Sequence, residues 1–452
     1  MITETETRAD IGRGFVKGML VAVALTGVNL AIEHTAFGTR LGWYAYEEIS
    51  GWLAPHESPV VIVDITDVPK TTRADGSQVT SREVLRELAR GIAADGASAI
   101  GIDVDFAPDV GSPLHPEDAR FFEDMIALLQ GKAGTPPLAV AIGAHRSLAD
   151  TRSARLGDAR FESIAAHLLV QESRVPALPT WVVVEGASEP LWGLGPALVR
   201  ARDGALPPEP RGWRWLRRAN VHDHVEPEWL ATSAMLVDTN SIEGLAKDRI
   251  RIGSPGAATG ETLARKIAAA LENERSAGRS VRGKIVLIGA ADPADRRDNA
   301  FFVPGSARAF PGVYMHACAV QTILHGYLYR VTPLGRLIAD LALALFVFGG
   351  IAAARLACAW LGRAPPREML VFLSLLVVSV ALSLAGGLFG VARLRLVWDG
   401  FVYVGLAAVL HLFLEAWLHA RERSHTRARS LEARAAELAP AGANPSTAPD
   451  PP

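Results

Sequence analysis

Residues 60–65 read VVIVDI: four β-branched residues in succession, then Asp64 and Ile65. A strand with one face in water carries a polar residue at every second position. This one carries none before Asp64, the pattern of a strand buried on both faces inside a parallel sheet. A helix is expected next along the chain. Thr80 and Glu83 have capping-box spacing, Val84, Leu85, Leu88, Ala89 and Ile92 form one apolar stripe, and Gly96 supplies the stop. The same alternation continues outward. A strand is expected at Ala99 to Phe106, a helix at Glu117 to Gln130, and further strands at Leu138 to Ile142, Trp181 to Val184 and Lys284 to Ile288. Strands alternating with helices imply an α/β domain with a mixed or mainly parallel sheet and helices on its faces. Residues 186–230 are less regular, with the run Trp213, Arg214, Trp215, Leu216, Arg217, Arg218. They read as a long loop packed by its aromatics, the alternative being an insertion that faces a membrane or a ligand.

On either side of this region the composition becomes continuously apolar. Gly18 to Ile32 (GMLVAVALTGVNLAI) is uncharged, and Met369 to Ala392 contains no charged residue and is long enough for a hydrocarbon core of roughly 30 Å. Leu337 to Leu361 and Leu396 to Leu418 are two further runs, with Trp398, Tyr403 and Trp417 suited to interfaces. Four transmembrane helices are therefore expected, one N-terminal and three C-terminal, at 11–32, 334–361, 369–392 and 396–418. The domain at 33–333 lies between the first two, and 1–10 and 419–452 are the ends. Arg8, Arg13, Lys17, Arg363, Arg367, Arg421, Arg423, Arg427 and Arg429 fall on one side of that arrangement, which the positive-inside rule makes the cytoplasm. Arg393 and Arg395 fall on the other side. The expectation is a multi-pass protein of the plasma (inner) membrane, with the large domain extracytoplasmic and both termini cytoplasmic.

Composition removes several functions. The formal net charge of −2 gives no basic field for nucleic acid. The two cysteines, Cys318 and Cys358, fall outside and inside an expected span, so the domain has to stand on its core rather than on a disulfide. No phosphate-binding glycine loop, nucleophile elbow or kinase signature occurs. The chain is not expected to be an enzyme or to carry a cofactor.

Four blocks carry a family resemblance: SPVVIVDITDVP at 58–69, TSREVLRELARGIAADGASAIGIDVDFAP at 80–108, VRGKIVLIGAADPADRRDNAFFVPGS at 281–306 and FPGVYMHACAVQTILHGYLYR at 310–330. Residues 58–330 resemble the second type of CHASE domain, the extracellular sensor module associated with cyclases and histidine kinases. In that family a hydrophobic strand ends in Gly-Ala, an acidic loop comes after it, and a Pro-Gly turn leads into a helix beginning near a His-Ala pair. Gly289, Ala290, Pro311, Gly312, His316 and Ala317 match. The family's layout, one helix before the sensor and about three after it, agrees with the spans counted above. The chain departs from the family over 145–230 and in having no output domain after the last span.

The candidate ligand-binding residues are Asp64, Asp67, Asp103, Asp105, Asp292 and His316. The first four stand at the ends of expected strands, and Asp292, with Asp295 and Asp298, comes after the strand ending at Gly289. In an open α/β sheet these ends border the crevice in which ligands bind. The competing reading is that the carboxylates cap helices, accept loop N–H groups or pair with arginines. His222, Asp223, His224 and Glu226 would suit zinc, but no distant fourth ligand matches them, so no metal is expected. His411 and Glu415 would share a face of the last span and read as helix-packing residues.

These features imply a sensor or signal-input protein anchored in the lipid bilayer. It is expected to bind an extracytoplasmic ligand or envelope partner and to relay through its helices to a separate cytoplasmic or membrane output protein. A homodimer is compatible with the chain. The alternative is an envelope structural or assembly protein, and behind it an enzyme with an unrecognised site.

Overall fold

The computed structural model describes residues 58–361 except 73–77, 105–115, 132–135, 145–161, 166–168, 171–175, 185–189, 208–215, 218–228, 240, 255–258, 293–300 and 303–308, together with Leu396, Val397 and scattered positions within 12–46 and 374–424. Its centre is a six-stranded sheet built from β1 (Val60–Asp64), β2 (Ala99–Asp103), β3 (Ala139–Ala144), β4 (Glu162–Ala165), β5 (Ile250–Arg251) and β6 (Ile285–Gly289), in the order β5-β1-β6-β2-β3-β4. Every pairing in it is parallel. All five residues of β1 and all five of β6 are buried, as the unbroken apolar run at 60–63 requires.

The helices are α1 (Arg82–Ala94), α2 (Pro116–Leu129), α3 (Leu194–Asp203), α4 (Ile242–Lys247), α5 (Gly260–Ser276), α6 (Gly312–His325) and α7 (Pro333–Trp360). Successive strand residues point to opposite faces, and the core divides accordingly. Val61, Val63, Ile100, Ile102, Val286 and Ile288 pack with Leu85, Leu88 and Ile92 of α1, Phe121 and Met125 of α2, and Leu263 and Ile267 of α5. Val60, Ile62, Ala99, Ile285 and Leu287 pack with Leu194 and Leu198 of α3, Ile242 and Leu245 of α4, and Val313, Tyr314, Ala317 and Val320 of α6. Each fully buried side chain of this size contributes roughly 1.5–3 kcal/mol, and the burial on both sides is why the sheet has no polar stripe.

The N-cap of α1 is Ser81, whose hydroxyl accepts the Val84 N–H at 3.4 Å. Thr80 ends a short strand instead, Gln78–Thr80, which pairs with Lys70–Thr72. Glu83 does not close a capping box: its carboxylate accepts the N–H of Gly260 at 2.9 Å, tying α1 to the first turn of α5. Gly96, at φ +85°, stands just past the end of α1 as expected. The expected strand at 181–184 is longer, Pro176–Val184, and belongs to a separate antiparallel sheet with Trp229–Leu236, Leu169–Val170 and Leu191–Trp192. Its alternation could not reveal which sheet it joins, because that is a matter of long-range pairing.

The chain divides into two compact units. One comprises 26–342 and 384–399 and contains the central sheet; the other comprises 1–25, 343–383 and 400–452. Among the described residues no helix is long and apolar enough to cross a membrane. Only scattered positions of the segments expected to span at 11–32 and 369–392 are described, and of 396–418 only Leu396 and Val397. The backbone of the segment at 334–361 is α7, 28 residues long, with several of its side chains outside the described set. Leu396 and Val397, the expected start of the last span, form instead a two-residue strand that pairs in parallel with Tyr329 and Arg330. His222, Asp223, His224, Glu226, Asp295, Asp298, His411 and Glu415 lie outside the described residues.

Candidate functional site at the strand ends

Strand register sets the geometry. Asp64 pairs with Gly289 and Gly289 with Asp103, so the last residues of β1, β6 and β2 stand abreast. At roughly 4.8 Å per strand, the two aspartates are about 10 Å apart with a glycine between them. The glycine is required by close packing: a Cβ there would meet Val313 Cγ2 at 2.8 Å and Asp103 Cβ at 3.3 Å. The connections differ across this line. After β1 and β2 the chain passes to α1 and α2 on one face, whereas after β6 it passes to α6 on the other. In open α/β sheets such a switch is where ligands bind, at the carboxyl ends of the strands.

Asp64 is 5 % exposed and fully engaged by its own domain. Its Oδ1 accepts the Thr66 hydroxyl at 2.6 Å, the Thr66 N–H at 3.0 Å and the Ala291 N–H at 3.0 Å. Its Oδ2 accepts Nε of Arg249 at 3.2 Å, while another guanidinium nitrogen of Arg249 donates to the Ala246 carbonyl at 2.7 Å. Thr66 Oγ1 in turn accepts the N–H groups of Ala291, at 3.2 Å, and Asp292, at 3.1 Å. The Tyr314 hydroxyl donates to the Ala291 carbonyl at 2.9 Å. Burial pushes the Tyr314 phenol up to about 12, with Asp64 and Asp292 adding to the rise and Arg249 opposing it. The phenol therefore stays a donor. This clasp fixes the loop after β6 against the loop after β1.

His316, in the second turn of α6, brings Nε2 to 4.0 Å from Oδ1 of Asp103, with side chains only 3 % and 6 % exposed. That is beyond hydrogen-bond length, an approach that becomes an ion pair when the imidazole is protonated. Here α6 meets α3 closely: a Cβ on Gly195 would lie 3.2 Å from the His316 carbonyl and 3.0 Å from Ala319 Cβ. Asp292 is half-buried at the start of the acidic loop, and Asp67 is exposed in the turn closed by the Val68 N–H on the Ile65 carbonyl at 2.9 Å. Asp105 lies outside the described residues. Thus Asp64, Asp103, Asp292 and His316 gather around the ends of β1, β6 and β2, and Asp67 stands in the turn beyond β1. Among the described residues no three His, Cys, Asp or Glu side chains are grouped to hold a metal ion.

Sequence reasoning missed Thr66, Arg249 and Tyr314. Asp64-x-Thr66 is a legible Asx-turn signal. Arg249 lies 185 residues from its partner and Tyr314 reads as one more apolar position of α6, so neither carries a local mark.

The other end of α6 has its own polar net. Gln321 donates to Ser58 and accepts from Ser241. Thr322 Oγ1 accepts the Asp238 N–H at 2.8 Å, and Tyr46 donates to the Asp238 carboxylate at 3.1 Å. The Gln321–Ser58 bond holds α6 to the chain entering β1, and the bonds to Ser241 and Asp238 hold it to the segment before α4. Cys318 between them is buried and not disulfide-bonded, its thiol pushed up by burial and further by Asp238.

The family model described as the CHASE2 domain matches residues 18–353. This chain belongs to the CHASE2 family. The match bears out the resemblance read from 58–330 and places the clasp, the strand ends and α6 inside a CHASE2 domain, the domain of an extracellular sensor family. No curated protein and no solved structure matches the chain.

Proposed function

We propose that this chain is a membrane-anchored signal-input protein of the inner membrane. Its CHASE2 domain faces outward, both termini are cytoplasmic, and an event at the strand-end crevice is relayed through the helices to a separate output protein. The observation that carries this reading is how the chain divides. Residues 384–399, which comprise the loop at 393–395 and the adjoining ends of the two expected spans on either side of it, belong with 26–342, whereas 343–383 and 400–452 belong with 1–25. Four spans put the loop at 393–395 on the same side as 33–333, and the pairing of Leu396 and Val397 with Tyr329 and Arg330 supports that placement. Helical positions Val16, Leu20 and Val23 are all more than half exposed. A row of large apolar side chains turned outward is at home in hydrocarbon rather than in water.

Helix α6 is suited to the relay. It starts beside Asp103, ends in the polar net at Ser58, and leads through Tyr329–Val331 into α7. A ligand shifts two arrangements of such a helix only through a difference in affinity for them. With Asp64 committed to the clasp, Asp103, Asp292 and His316 are the ligand-facing candidates, with Asp67 and Asp105 beside them. The protein acts by this shift, without catalysing a reaction, and the output protein reads it at the helices or at the basic stretch around Arg421 to Arg429.

The test combines topology and capture. Reporter fusions at residue 1 and after residue 420 are expected to report cytoplasm, and one near residue 150 the outside. An external C-terminus overturns the topology. Deleting 419–452 is expected to leave insertion intact and to lose co-purifying membrane or cytoplasmic partners; unchanged partners defeat the relay.

A further inference from the structure

We propose that His316 and Asp103 form a proton-operated latch, which draws α6 onto the end of β2 when the imidazole is protonated and lets it stand off when the imidazole is neutral. The latch rests on the sensor reading above and makes extracytoplasmic acidity a signal that the strand ends take up. His316 Nε2 stands 4.0 Å from Asp103 Oδ1, and the two side chains are 3 % and 6 % exposed. An opposite charge within roughly 4–6 Å favours the protonated imidazole, whereas burial disfavours it. With water excluded from both groups the attraction is little screened, so the carboxylate decides the balance. Histidine is also the side chain whose ordinary change of charge falls between about pH 5 and 8.

Helix α6 packs against α3, α4, β1 and β6. On β1 stands Asp64, engaged by Arg249, and after β6 stands the half-buried Asp292. The part of α3 beside His316, Leu194 to Val199, is apolar, and its charged residues Arg200, Arg202 and Asp203 come at its far end. On α4, Glu243 and Lys247 are exposed, as is Asp248 at its end. On α6 itself the Tyr314 phenol is pushed up to about 12, burial pushes the Cys318 thiol up, and His325 is exposed in the last turn. Among the described residues His316 is the one buried histidine. Its protonation closes the gap to a charge-assisted hydrogen bond of about 2.8 Å, a movement of about 1 Å, the size of the helix shifts by which packed interfaces switch. The neighbouring contacts are small, Gly195 lying against Ala319 and Gly289 against Val313. The far half of α6 stays pinned by the Gln321 bonds to Ser58 and Ser241. From His316 to that net is an arm of about 8 Å, so a 1 Å movement is a tilt of about 8°. Tyr329–Val331 and α7 follow directly in the chain to receive it.

The experiment uses the full chain in one detergent between about pH 5 and 8, with His316→Gln, Asp103→Asn and the double variant beside the parent. A protonated imidazole that gains a partner on folding contributes stability that is fully present below about pH 6.5 and lost as pH rises above it. The coupling of the two substitutions in the unfolding equilibrium constant is therefore expected to be about tenfold at the acid end and to fade at the alkaline end. The ring signal of His316 in histidine-labelled protein, assigned by its absence from His316→Gln, is expected to titrate inside this window in the parent and at lower pH in Asp103→Asn. His325→Gln, at the exposed end of the same helix, is expected to keep the parent's profile. Equal coupling at both ends of the range overturns the latch. So does a ring midpoint that Asp103→Asn leaves in place, a readout that does not depend on the variant's stability. An external C-terminus in the reporter fusions overturns the membrane reading and leaves the titration standing, so the two failures are distinguishable.

Discussion

Removing the carboxylate of Asp64 tests whether the strand-end rim is a structural clasp or a ligand contact. In Asp64→Ala, Arg249 keeps its charge in a site where its side chain is only 11 % exposed, and the N–H groups of Thr66 and Ala291 lose a shared acceptor. Breaking a buried pair by removing one partner costs about 3–5 kcal/mol. At roughly 2–4 °C per kcal/mol for a domain of this order, the unliganded melting temperature falls by on the order of 10 °C. Asp64→Asn keeps an acceptor for Thr66 and Ala291 but loses the charge facing Arg249, and is expected to cost about 1.5–3 kcal/mol. The decisive measurement is the cycle of Asp64→Asn with Arg249→Met in thermal melts of the full chain in one detergent. The double variant is expected to be more stable than the sum of its parts by about 1–3 kcal/mol. Asp64→Ala costing less than about 1 kcal/mol, or raising the unliganded melting temperature as the loss of a strained ligand carboxylate does, refutes the clasp.

The same geometry sets three further outcomes. The Tyr314 phenol, raised to about 12 from an ordinary value near 10, contributes stability that is fully present below about pH 10 and lost as pH rises toward 12; Tyr314→Phe is expected to flatten that alkaline limb in melts taken from pH 9 to 12. Gly289→Ala pushes a methyl to 2.8 Å from Val313 Cγ2 and is expected to cost about 1–3 kcal/mol, with Val313→Ala restoring part of it; equal melting temperatures for parent and variant contradict the close packing of α6 on β6. Arg82 Nε meets Asp118 at 2.6 Å between α1 and α2, with both side chains almost fully buried, so Asp118→Ala is expected to cost about 3–5 kcal/mol in chemical denaturation, and Arg82→Met with Asp118→Leu far less.

The α/β class, the strands β1, β2, β3 and β6, the helices α1 and α2, and the family were all legible in the residues. Burial on both faces forces an unbroken apolar run such as 60–63, and a helix against a sheet forces a stripe such as Val84, Leu85, Leu88 and Ile92; both are local constraints written within a dozen residues. The choice of Asp64, Asp103 and Asp292 came from a related rule, since carboxylates at strand ends share one rim when the strands are parallel, whereas His316 came from the family's His-Ala pair. Their partners were not legible: Arg249 and Ala291 reach Asp64 from 185 and 227 residues away, and His316 comes to Asp103 because β6 lies between β1 and β2 and sends its next helix to the opposite face. Nor could alternation tell that Pro176–Val184 leaves the central sheet. A residue's pattern records which medium surrounds it, apolar core or water, whereas strand order and register decide which distant group it meets, and only folding brings those groups within hydrogen-bond reach.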